Sequence, residues 1–180
     1  MTRRRKAKEA TPAYLERVAL WYMARHPGST ARVRRTLEKR VRRSVEALGT
    51  DPVEGAEAVA AVLAKLERLG LLDDARFAEA RVRSLRRRGK SARAIRAALR
   101  RQGVDDALVD RALSVHDDAG DAELAAARAL ARKRRLGPWR RDPATRADGR
   151  ERDLAKLGRA GYSFDVARRV VDEALDDPEP

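Results

Sequence analysis

The sequence predicts an all-α protein, and three observations carry that prediction. Apolar residues recur at three- and four-residue spacing along nearly the whole chain, no stretch alternates apolar and polar residues for long enough to make a strand, and Ser, Asp and Gly stand where helices would begin and end. Within 180 residues this punctuation comes round three times. The expected architecture is therefore an elongated, curved tandem array of three three-helix repeats, each contacting chiefly its neighbours.

The central repeat, residues 73–118, is the most legible. Asp73 is placed to cap a helix reaching about Arg88, which Gly89 ends; Ser91 caps a second, which Gly103 ends; Asp105 caps a third that runs to His116. Leu72 with Phe77, and Val104 with Val109, occupy the two positions of a hydrophobic staple around the aspartate caps. Helical spacing then turns Ala78, Val82 and Leu85, Ile95 and Leu99, and Leu108, Val109, Ala112 and Leu113 toward a small core.

Residues 119–180 repeat the pattern. LGRAGYSFDVARRVVDEAL lies over LRRQGVDDALVDRAL, so that Leu157, Gly161, Tyr162 and Ser163 fall on Leu99, Gly103, Val104 and Asp105. The first helix of this repeat is expected over 121–136 and the second over 146–160, with the irregular GPWRRDPAT between them and an acidic tail at the end. Residues 11–72 form the third and most divergent copy. STARVRRTL lies over SARAIRAAL, pairing Val33 with Ile95 and Leu37 with Leu99. Its first helix is expected over 12–25, with Pro12 in the first helical position behind a Thr11 cap, and its third over 53–69. A longer second helix or linker over 41–51 makes an extended connection between them. Residues 1–10, with RRRKAK, read as a flexible basic arm.

Charge follows the repeat. The net charge is +14, but residues 1–50 carry +10, 51–72 carry −2, 73–104 carry +8, 105–124 carry −6, 125–169 carry +9 and 170–180 carry −5. The first two helices of each repeat are basic, and the third or its tail is acidic. An ordinary solvated face mixes both signs. Arg81, Arg83, Arg86, Arg87, Arg88, Lys90, Arg93, Arg96, Arg100 and Arg101 follow one another with no acidic residue among them. They are the candidate binding surface for a polyanion. A helix-turn-helix that reads bases is disfavoured, because its recognition helix would carry Asp105, Asp106 and Asp110 toward phosphates. Contact with a nucleic-acid backbone fits better.

No constellation for chemistry stands out. There is no cysteine, which excludes disulfides, thiolate metal sites and cysteine nucleophiles. The acid pairs Asp73-Asp74, Asp105-Asp106, Asp117-Asp118 and Asp176-Asp177 have no third ligand at a fixed spacing and read as helix caps. His26 and His116 stand near helix ends without triad partners, and the glycines at 137, 158 and 161 lack the context of a phosphate loop. Neither metal nor cofactor is expected. Trp139, between Arg135 and Arg140-Arg141, either stacks on an unpaired base or anchors its loop to the array. Trp21 and Tyr22, inside a helical pattern, are expected in the core. The chain has no run of about 20 apolar residues and no apolar signal segment at the start, so a cytoplasmic protein with no membrane partner is expected.

LGLLDDARFAEARVRSLRRRGKSARAIRAALRRQGVDDALVDRAL (69–113) resembles the central repeat of the RecX family. The residues that carry the likeness are Leu71, Leu72, Asp73, Asp74, Arg76, Phe77, Ala78, Gly89, Lys90, Ile95, Leu99, Gly103 and Val104. RAGYSFDVARRVVDEAL is similar to the family's C-terminal repeat, with Gly161, Tyr162, Ser163 and Phe164 at its G-F-S pattern. The resemblance implies a regulator that lodges on the RecA recombinase filament on single-stranded DNA; duplex DNA is a second candidate target, and a monomer without catalytic residues is expected. The resemblance also implies inhibition of ATP hydrolysis, strand exchange and filament growth, and so an effect on homologous recombination, DNA repair and the SOS response. The alternative from a different class is a free-standing nucleic-acid-binding helical protein without sequence preference.

Overall fold

The computed structural model describes residues 7–117 and 122–174. Among them every long element is a helix: α1 (Pro12–Met23), α2 (Thr30–Leu48), α3 (Pro52–Arg68), α4 (Asp74–Arg87), α5 (Ala92–Gln102), α6 (Asp106–Asp117), α7 (Ala122–Arg134), α8 (Arg146–Arg159) and α9 (Phe164–Val171). Two short 3-10 turns, Gly137–Trp139 and Pro143–Thr145, interrupt the chain between α7 and α8. The RRRK run of the basic arm, Asp118 and Asp121, and the tail with Asp176-Asp177 lie outside the described residues.

The chain divides into two compact units. The first comprises Met1–Phe77 with the turn Gln102–Val104, and the second Ala78–Arg101 with Asp105–Pro180. In the first unit Thr11 caps α1 by accepting from the Tyr14 amide at 3.3 Å, with Pro12 in the first helical position, where its missing N–H costs nothing. Ser29 caps α2 at the Arg32 amide, and Asp51 caps α3 at the Val53 amide, 2.7 Å away. The stretch from Val41 continues α2 as far as Leu48, so only Gly49, Thr50 and Asp51 separate α2 from α3. Leu15, Val33, Leu37, Leu63 and Leu66 are fully enclosed between the three helices. Each such side chain contributes about 2 kcal/mol through burial.

The second unit holds α6 to α9, α5 up to Arg101 and most of α4. The inward positions expected for the central repeat are buried, Ala78, Val82, Leu85, Ile95, Leu99, Val109, Ala112 and Leu113 among them, and Leu108 is half-buried. Asp105 and Ser163 cap as expected, accepting from the amides of Ala107 at 2.8 Å and Val166 at 3.3 Å. Leu124, Ala127, Leu136, Leu157 and Val170 form the core under α7, α8 and α9.

One arrangement occurs in both units. In the first, Ser29 donates its hydroxyl to the Gln102 carbonyl while the neighbouring Thr30 amide donates to Asp74 Oδ1 at 2.7 Å. In the second, Ser91 donates to the Ala160 carbonyl at 2.7 Å while the Ala92 amide donates to the Glu123 carboxylate at 3.1 Å. A hydroxyl both donates and accepts, so each serine caps its own helix and satisfies a carbonyl at the end of another. Each accepted carbonyl precedes a glycine in the left-handed region, Gly103 at φ +79 and Gly161 at φ +95. A Cβ on these glycines would come within 2.5 Å of Ala31 Cβ or 2.6 Å of Ser91 Oγ. Only glycine supplies both the backbone angle and the clearance.

Candidate nucleic-acid and partner interface

The ten cations singled out in the sequence occupy α4, α5 and the turn between them. Arg83, Arg87, Arg88, Lys90, Arg93, Arg100 and Arg101 are exposed, while Arg81 and Arg96 are half-buried. Helix spacing sets Arg83 and Arg87 on one stripe of α4, and Arg93, Arg96 and Arg100 on one stripe of α5.

Two members of the α5 stripe are engaged by the acidic start of α6. Arg100 Nε lies 2.6 Å from Asp106 Oδ1, and Arg96 Nε lies 2.8 Å from Asp110 Oδ1. The bond from Arg100 holds the Asp106 carboxyl below the usual carboxylate range, and the same bond raises the Arg100 guanidinium. Exposed pairs of this kind contribute little to stability. A guanidinium has five N–H donors, so the pairs orient the α5 arginines and leave donors facing solvent.

Arg86 is different. It is buried and ion-pairs with Glu123, the residue that also accepts from the Ala92 amide. Beside them the Tyr162 phenol is pushed up by burial and by the Glu123 charge. Arg86 is therefore part of the packing between α4 and α7, and a substitution there reports on folding before it reports on binding. The signal for this was in the sequence: Arg86 follows Val82 by four residues, on the same inward stripe as Ala78 and Leu85.

Of the two tryptophans, one follows an expected arrangement and the other departs from it. Trp139 is half-buried and packs against the core of α7, α8 and α9, the anchoring arrangement. Its loop is held by Asp153, whose carboxylate is fully buried and accepts from the Gly137 amide at 2.9 Å, from Arg140 Nε at 2.8 Å and Nη2 at 3.0 Å, and from Lys156 Nζ at 3.2 Å. Gly149 leaves room for the Arg140 guanidinium, since a Cβ there would stand 2.1 Å from Arg140 Cζ. Trp21, expected in the core, is instead 54% exposed, and Tyr22 is half-buried against the core of α1, α2 and α3. Both residues fall within an apolar pattern, but α1 buries chiefly Leu15 and Ala19, and Trp21 points the other way.

Among the described residues no group of three or more His, Asp or Glu is arranged to hold a metal ion, and no helix is long and apolar enough to cross a membrane. Asp73 and Asp105 are engaged as helix caps.

Comparison with known proteins places these elements in a family. Residues 73–113 match the model for the RecX second three-helix domain. The chain is 42% identical over 169 residues to the regulatory protein RecX of Myxococcus xanthus, covering 93% of this chain and 89% of that protein. It is 37% identical over 153 residues to the regulatory protein RecX of Streptomyces coelicolor, covering 82% and 72% respectively. A third relative, the regulatory protein RecX of Mycolicibacterium vanbaalenii, is 36% identical over 144 residues, covering 78% and 77%. No solved structure matches.

Proposed function

Because the chain belongs to the RecX family of regulatory proteins, we propose that it regulates a RecA-type recombinase by binding the recombinase filament on single-stranded DNA. In this reading it acts in the cytoplasm as a non-enzymatic monomer that inhibits ATP hydrolysis, strand exchange and filament growth, and so modulates recombinational repair. The observation that carries the reading is the position of the acid-free run from Arg81 to Arg101, which lies wholly inside the segment matching the family's second three-helix domain. Exposed arginines on α4 and α5 present donors to phosphates or to acidic protein surfaces, and the carboxylates of α6 hold two of them in place.

The test is ATP hydrolysis by the cognate recombinase on single-stranded DNA, with this protein titrated in while free DNA is raised to large excess. Inhibition at substoichiometric protein that survives the excess supports recognition of the filament. Inhibition that disappears favours the second reading, a free-standing nucleic-acid-binding protein that competes for strand, which the net charge of +14 supports. Charge reversal belongs at the exposed Arg87 and Arg88, since Arg86 is spent on Glu123. Arg87→Glu with Arg88→Glu is expected to weaken inhibition about tenfold while leaving the fold intact, and unchanged inhibition removes the central repeat from the interface.

A further inference from the structure

The first unit carries a second basic surface, and it has what α4 and α5 lack, an exposed aromatic ring. Tyr14, Arg17, Trp21 and Arg25 follow one another at three- and four-residue intervals along α1 and just past its end; Arg17 and Trp21 lie on the side away from the buried Leu15 and Ala19, and Tyr14 is half-buried at the edge of that core. Tyr14 and Trp21 line an open groove of about 440 Å³ together with Lys8, Arg17, Arg40 and Arg43. Four cations and no carboxylate stand in that lining among the described residues. The rings are already used as cation platforms. The Arg25 guanidinium lies 4.4 Å from the centre of the Trp21 ring, while Arg17 and Lys8 lie 5.8 Å and 6.0 Å from that of Tyr14.

We propose that this groove is a binding site for single-stranded nucleic acid, in which an unpaired base stacks on Trp21 and the flanking phosphates are held by Lys8, Arg17, Arg40 and Arg43. A base offers its flat face to a side chain only when it is out of a duplex stack, so the ring selects single strand, whereas the cations alone would accept duplex or strand alike. An apolar ring left 54% exposed on a helix that already has a complete inner face contributes little to folding. Its guanidinium neighbours keep the surface around it positive, as charge complementarity with a phosphodiester strand requires. The site deepens the strand-binding side of the function proposed above and lies outside the segment on which that reading rests.

The test uses the full chain and free oligonucleotides with no recombinase, so its result is independent of filament regulation. Binding is measured by fluorescence anisotropy to a labelled twelve-nucleotide oligothymidylate and to an abasic strand of the same length and charge. Trp21→Ala is expected to weaken binding to oligothymidylate about tenfold and to leave the abasic strand within about twofold, with Trp21→Phe recovering most of the loss. Arg17→Ala with Arg40→Ala is expected to weaken both strands alike and to flatten the salt dependence. Equal losses on the two strands with Trp21→Ala would mean that the ring only positions arginines, and no loss on either would mean that bases do not touch it; both results overturn the site.

Discussion

Trp21 and Trp139 each have arginines within four residues on both sides, Arg17 and Arg25 around one and Arg135, Arg140 and Arg141 around the other, and opposite fates in the structure. Trp139 belongs to an irregular stretch whose backbone groups have no helix to satisfy them. The chain provides a buried carboxylate, Asp153, that takes the Gly137 amide and the Arg140 fork, and the tryptophan closes the loop onto the core. Trp21 sits on a helix whose backbone bonds are already made and whose inner face is filled by Leu15 and Ala19, so its ring is left over. Irregular backbone is where a protein must spend side chains on holding itself, and a completed helix is where it has side chains to spare.

Four substitutions sharpen or break this contrast. The largest effect is expected from Asp153→Asn, which leaves Arg140 without its counter-charge and should cost about 3 kcal/mol in chemical denaturation. The same residue sets a pH dependence. Burial pushes the Asp153 carboxyl up, but the bonds from Arg140, the Gly137 amide and Lys156 outweigh it, and the folded carboxyl titrates below its ordinary value. Its contribution is therefore complete above the unfolded pKa of about 4 and is lost as pH falls through the lower folded value. The wild-type protein should lose stability in that acid window, and Asp153→Asn should lose less there.

Trp139→Ala comes next, at about 2 kcal/mol for a half-buried aromatic, read as a lowered Tm. A smaller effect of opposite sign is expected at Arg135, a non-glycine residue at φ +55 just after α7, where Arg135→Gly relieves backbone strain and should stabilise by about 0.5–1 kcal/mol. Least of all, Trp21→Ala should move stability by no more than about 0.5 kcal/mol, because its ring is mostly in water. A cost at Trp21 comparable with that at Trp139 would show that the outer face of α1 is structural after all and would end the comparison.

Much of the fold was legible because it is written locally. The caps at Thr11, Asp73, Ser91, Asp105 and Ser163 and the inward stripes of α4, α5 and α6 needed only spacing to find, and a one-dimensional string records spacing. The candidate surface was legible as a charge but not as a set of roles. Whether an arginine faces water or a carboxylate depends on partners distant in the chain: Glu123 lies 37 residues beyond Arg86, and nothing near Arg86 announces it except its place on the apolar stripe. Trp21 was misplaced for the converse reason. The apolar pattern of α1 is wider than the face its partners cover, and only the packing says where that face ends.

The doubled serine arrangement bears on how the chain is held together along its length. Each arrangement resembles a hook and an eye, a glycine-closed helix end meeting a capping serine. Ser29 meets a carbonyl 73 residues further along the chain and Ser91 one 69 residues further along, so each clasp ties two distant stretches through a single side chain. Because one hydroxyl both caps its own helix and closes the clasp, neither role can be removed without the other.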